Sequence, residues 1–132
     1  MKHTILILLL ALLALACERE EKPAVAIENV RVFAPLPGRS ASVAYLDVHN
    51  RGDSPITLAS VSSPAFQRAE IHETRLTDGV ASMQLLETLE IAGRSQFNLA
   101  PGGAHIMLLD PRQALLPGAN VQLELLFGDG SV

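Results

Sequence analysis

From residue 25 onward the chain is a series of short apolar runs, each soon broken by a turn signal, which predicts strands and an all-β sandwich or barrel. Residues 25–33 alternate loosely and are rich in β-branched side chains, as a first strand should be. Residues 42–49 alternate cleanly, with Val43, Tyr45, Asp47 and His49 on one side and Ala44, Leu46 and Val48 on the other. Asn50-Arg51-Gly52-Asp53-Ser54-Pro55 is a strong turn, 56–61 a further strand, and Ser62-Ser63-Pro64 its end. Strands follow at 66–74, 80–86, 90–99 (with a break at Gly93), 104–109 and 121–127. No helical period of useful length appears among them, and 111–117 has room for one short turn at most.

The pair 66–74 and 80–86 flanks Thr77-Asp78-Gly79, and Asp-Gly between two such runs predicts a type I′ hairpin. With Asp78 and Gly79 as the loop, Thr77 pairs with Val80 and Thr74 with Met83. His72 then lies two residues along the same face, diagonal to Met83, at a backbone separation of ~7–8 Å. A slip of one residue would place the two on opposite faces.

The N-terminus changes the picture of where the domain works. Met1-Lys2-His3-Thr4 leads into an apolar run from Ile5 to Ala16, too short to span a bilayer, which ends in small residues as a secretory signal does. Cys17, the only cysteine, follows at once, so no intrachain disulfide is available. Leu13-Ala14-Leu15-Ala16-Cys17 resembles the lipobox of bacterial lipoproteins, which implies lipidation of Cys17 and a membrane anchor. The expected organisation is a signal peptide at 1–16, a lipidated cysteine with a charged tether at 17–23, and a single domain at 24–128. The expected location is the periplasm, on a membrane.

Charge excludes one class of partner. The formal net charge is −4, and Lys2 is the single charged side chain in 1–16, so the mature chain is more acidic still. With no basic patch, nucleic-acid binding is not expected.

Candidate chemistry concentrates in four side chains. Apart from Met1, the methionines are Met83 and Met107, and two of the four histidines are His72 and His105. Singly each is unremarkable: a strand histidine is commonly a surface residue, and a methionine commonly fills a core. His105 and Met107, at i and i+2 of a strand, share a face after the Pro101-Gly102-Gly103 turn. Two thioethers and two imidazoles form a soft, neutral donor set that suits Cu(I), whereas Mg²⁺ and Ca²⁺ want oxygen and zinc favours thiolate, imidazole and carboxylate. Glu70 shares the His72 face and is placed to tune it, Glu73 points the other way, and His49 is expected in solvent without metal.

Ten residues separate His72 from Met83, twenty-one separate Met83 from His105, and one separates His105 from Met107. This resembles the H-x10-M-x21-H-x-M signature of the PCuAC family of periplasmic copper chaperones. The flanks agree: Ala44-Tyr45-Leu46-Asp47-Val48-His49-Asn50, Ser62-Ser63-Pro64-Ala65, Glu70-Ile71-His72-Glu73-Thr74, and Leu99-Ala100-Pro101-Gly102-Gly103-Ala104-His105-Ile106-Met107-Leu108. The resemblance implies a cupredoxin-like Greek-key β-sandwich. It also implies a non-enzymatic role, binding Cu(I) through His72, Met83, His105 and Met107. The copper would pass to an accepting protein such as cytochrome c oxidase subunit II or a Sco-type protein, with the chaperone acting as a monomer.

Other classes fare worse. A blue-copper electron carrier needs a cysteine thiolate beside two histidines, and Cys17 stands at the anchor. No nucleophile elbow or metalloprotease motif marks a hydrolase. The remaining alternative is a structural or partner-binding β-sandwich lipoprotein with no part in metal transfer.

Overall fold

The computed structural model describes residues 23–35 and 38–132; the expected signal segment, Cys17 and the tether up to residue 22 lie outside the described residues. Nine strands build two sheets: β1 (Val25–Phe33), β2 (Ala41–Asn50), β3 (Ile56–Ser62), β4 (Phe66–Thr77), β5 (Val80–Leu86), β6 (Leu89–Ile91), β7 (Ser95–Leu99), β8 (Ala104–Pro111) and β9 (Glu124–Phe127). The described residues contain no helix. The larger sheet runs β1-β2-β8-β4-β5, with β7 also paired to β2, and the smaller runs β6-β3-β9. All pairings within them are antiparallel.

The core lies between the sheets, where alternation sends one side of each strand. Ala44, Leu46 and Val48 of β2, Ile71 of β4 and Ile106 and Leu108 of β8 meet Leu58 and Val61 of β3, Ile91 of β6 and Leu125 and Phe127 of β9. The expected alternation of β2 is present without a break, each even-numbered residue from Ser42 to Asn50 being buried.

The strand expected at 90–99 is two strands in different sheets: β6 pairs with β3, whereas β7 pairs with β2. The corner between them needs Gly93, because a Cβ there would fall 2.1 Å from the Asp53 carbonyl oxygen. Arg94, the next residue, takes a left-handed φ of 52°, completes the bend and forms an ion pair with Asp53. Asn50 ties the corner down from beneath. Buried at the end of β2, its side-chain amide donates to the carbonyls of Ser54, Ile91 and Ala92 and its oxygen accepts from Gly52 N–H. The last strand is shorter than expected, starting at Glu124.

β7 and β8 cover successive lengths of the same edge of β2: Leu99 pairs with Leu46, and Ile106 with Ala44. The chain between them loops out through Pro101, Gly102 and Gly103. Hydrogen bonds from Ala100 N–H to the Ala104 carbonyl and from Gly103 N–H to the Ala100 carbonyl close this loop, and Gly102 supplies the φ of 81° that it requires.

Candidate metal centre

The outer face of the larger sheet carries the chemistry. Directly paired residues on antiparallel strands share a face, so the register fixes three adjoining rows. His72 of β4 pairs with His105 of β8 and, on its other side, with Leu85 of β5. One row toward the hairpin tip, Thr74 pairs with Met83; one row the other way, Glu70 pairs with Met107, which in turn pairs with Val43 of β2. The four candidate residues therefore share one face of one sheet. The two histidines are cross-strand neighbours, and a methionine stands diagonally on each side of His72.

The hairpin register is the one expected. Thr77 pairs with Val80, and Asp78 and Gly79 have φ of 51° and 78°, the left-handed pair that a two-residue I′ loop requires.

The ring centroids of His72 and His105 are 6.1 Å apart. Metal–imidazole nitrogen bonds are about 2.0–2.1 Å long, so two rings sharing an ion have centroids about 5–6 Å apart. The observed pair lies just beyond that range, so a small approach of the rings would let them share an ion.

Each ring is held by one nitrogen. His105 Nδ1 lies 3.0 Å from the Gly103 carbonyl oxygen, and the same oxygen accepts the backbone N–H of Thr74 at 3.1 Å. The Pro-Gly-Gly loop thus ties the His105 strand to the hairpin that carries Met83. His72 Nε2 lies 2.9 Å from Glu70 Oε2, while Glu70 Oε1 takes Arg68 at 3.0 Å and Arg68 also reaches Asp110 at 3.5 Å. His72 Nδ1 is buried and has no hydrogen-bond partner.

Burial falls across the group. His105 is 5% exposed, His72 and Met107 are half-buried, and Met83 on the edge strand is 62% exposed. Sequence reasoning missed part of what covers His105: the ring of Tyr45, centroid 6.5 Å away, with Phe33 edge-on to Tyr45 at 5.6 Å. The signal available was the shared outer parity of Val43, Tyr45 and Asp47. Glu73 bonds Arg75 at 2.7 Å. His49 is half-buried, not free in solvent, with Glu28 of β1 at 3.4 Å.

Among the described residues no three His, Cys, Asp or Glu side chains gather in a metal-binding group. A groove of about 890 Å³, lined by Val25, Ile27, Val121, Leu123 and Leu125 among others, includes none of the four candidate residues. That groove is lined mainly by apolar side chains with the carboxylates of Glu124 and Asp129, and it lacks the imidazoles and thioethers that suit a soft ion.

Residues 25–132 match the family profile described as "Putative lipoprotein LpqE-like". Over 111 residues the chain is 31% identical to "Putative lipoprotein Lxx21020" of Leifsonia xyli subsp. xyli, covering 83% of this chain and 67% of that one. It is also 31% identical over 93 residues to the protein RP573 of Rickettsia prowazekii, of which it spans about half, 51%, with 70% of this chain covered. Among solved structures, the copper-bound PCuAC domain from PmoF2 superposes with a TM-score of 0.68 at 25% identity, covering 83% of this chain and 86% of that one. The solution structure of CuI-DR1885 from Deinococcus radiodurans gives 0.68 at 26% identity, covering 90% of this chain and 79% of that one. The fold is the cupredoxin-like β fold of these domains.

Proposed function

Since the chain belongs to the LpqE-like lipoprotein family and has the fold of PCuAC domains, we propose that it is an extracytoplasmic copper chaperone that carries Cu(I) on His72, Met83, His105 and Met107. One observation carries the reading: His72 and His105 form a direct cross-strand pair on the face that also bears both methionines. Two imidazoles with two thioethers form a neutral, soft set that favours Cu(I) over Cu(II) and over hard divalent ions. Relatives of known structure include a copper-bound and a CuI form, which supports the same reading.

The ion is cargo. It enters and leaves as Cu(I), no electron is transferred, and the protein acts without catalysing a reaction. The exposed edge of the site gives an accepting protein access to the metal. The acceptor is a copper protein of the envelope, such as cytochrome c oxidase subunit II or a Sco-type protein. A lipid on Cys17 holds the monomeric domain to its membrane on the periplasmic side.

Copper K-edge X-ray absorption on the reduced, copper-loaded domain tests the site. Two nitrogen and two sulfur scatterers are expected. A spectrum with no sulfur, or no stoichiometric copper under reducing conditions, would overturn the proposal.

A further inference from the structure

We propose that Glu70 is a positioning residue that selects which nitrogen of His72 takes the metal: copper binds His72 through Nδ1 and His105 through Nε2. This rests on the copper reading above and makes it more specific.

An ionised carboxylate only accepts, so the 2.9 Å contact between Glu70 Oε2 and His72 Nε2 places the proton on Nε2 and leaves the lone pair on Nδ1. That Nδ1 is buried and has no partner in the protein. A buried polar atom left without a partner is costly, and folded proteins rarely tolerate one. A lone pair held in that condition, 6.1 Å ring-to-ring from a second imidazole, is what a ligand atom presents before its metal arrives.

His105 is set by the opposite nitrogen. A backbone carbonyl also only accepts, so the contact of Nδ1 with the Gly103 oxygen puts the proton on Nδ1 and frees Nε2. Metal-binding histidines almost always donate their other N–H to a carboxylate or a backbone carbonyl. Here one histidine uses each, and the two are bound in opposite tautomers. Glu70 is itself fixed, its second oxygen taken by Arg68, which Asp110 also engages. Its pairing with Met107 in the β4–β8 ladder places the carboxylate's residue beside one proposed thioether ligand.

Long-range ¹H–¹⁵N correlation spectra of the ¹⁵N-labelled domain read the tautomer of each ring, and Cu(I) is diamagnetic, so the loaded form is readable too. Without copper, His72 should carry its proton on Nε2 and His105 on Nδ1. On loading with Cu(I), the metal-induced shift should fall on Nδ1 of His72 and Nε2 of His105. A shift on Nε2 of His72, or the proton on its Nδ1 before loading, would overturn the assignment while leaving the copper site intact. No shift on either ring would overturn the copper reading and this inference with it. Glu70→Gln, whose amide can donate as well as accept, should give mixed His72 tautomers before loading and weaken Cu(I) binding by roughly 10–100-fold. Glu70→Ala should lose the tautomer preference without changing the His105 signals. A variant that kept the pure Nε2–H tautomer would show that Glu70 does not set it.

Discussion

Thr74 stands directly opposite Met83 in the β4–β5 ladder, one row beyond the point where β8 begins at Ala104. From there to Asp78-Gly79, among the described residues, the two strands pair only with each other, apart from the bond from Thr74 N–H to Gly103. A two-stranded ribbon without further support is marginal in water. The proposed ligand Met83 therefore sits at the root of an arm held less firmly than the sheet carrying His105. Hydrogen exchange should show amides of 75–82 exchanging faster than those of β8, and Cu(I) should slow those nearest Met83. Unchanged exchange throughout the arm would detach Met83 from the site.

Met83→Leu and Met107→Leu keep volume and remove sulfur. Met83 is exposed, so its replacement should change stability by no more than about 0.5 kcal/mol. Met107→Leu should cost less than about 1.5 kcal/mol. Both variants should lose a competition for Cu(I) against a chelator that the wild type wins, with thermal unfolding as the control. Wild-type competition by either one would remove that thioether from the ligand set.

His105→Ala should do two kinds of damage. The ring is buried and bonded to Gly103, so its loss should destabilise the domain by about 1–3 kcal/mol as well as abolish tight copper binding. Urea unfolding of the copper-free protein measures the first effect separately from the second.

Much of the candidate site's geometry was legible because it depends on local counting. Once Asp-Gly is taken as the hairpin loop, every pair back to His72 follows, and the period of two puts His105 and Met107 on one face. The corner at Gly93 was not legible in the same way. Its cause is the approach of the Asp53 carbonyl, 40 positions earlier in the sequence, and a pattern read along one strand contains nothing of that neighbour. Asn50 lies between these cases. Its turn-forming company hides its role, yet its parity with Ala44, Leu46 and Val48 places it on the core side, and a buried asparagine must find partners. The half-buried state of His49 comes from Glu28, a partner that only the β1–β2 pairing supplies.

Two substitutions away from the outer face test that account of the corner. Gly93→Ala forces a Cβ into the Asp53 carbonyl and should cost about 3 kcal/mol or more. Asn50→Ala strands the buried carbonyl of Ile91, removes the bond to Ala92, and should cost about 1–3 kcal/mol. In the folded fraction of either variant, Cu(I) affinity should match the wild type. A large loss of affinity without loss of stability would show that the corner reaches the metal site by a route the sheets do not suggest.

On the proposed ligand set, the graded burial from His105 to Met83 would give the donors an order of release. An incoming thiolate or thioether would meet Met83 first and would replace it while both imidazoles still held the ion, so the metal need never be bare. Departure would then proceed from the rim inward, with the ring fastened to Gly103 letting go last. The cargo would change hands by successive exchange of single bonds, each a small step, with the direction of traffic set by whichever protein offers the better final ligands.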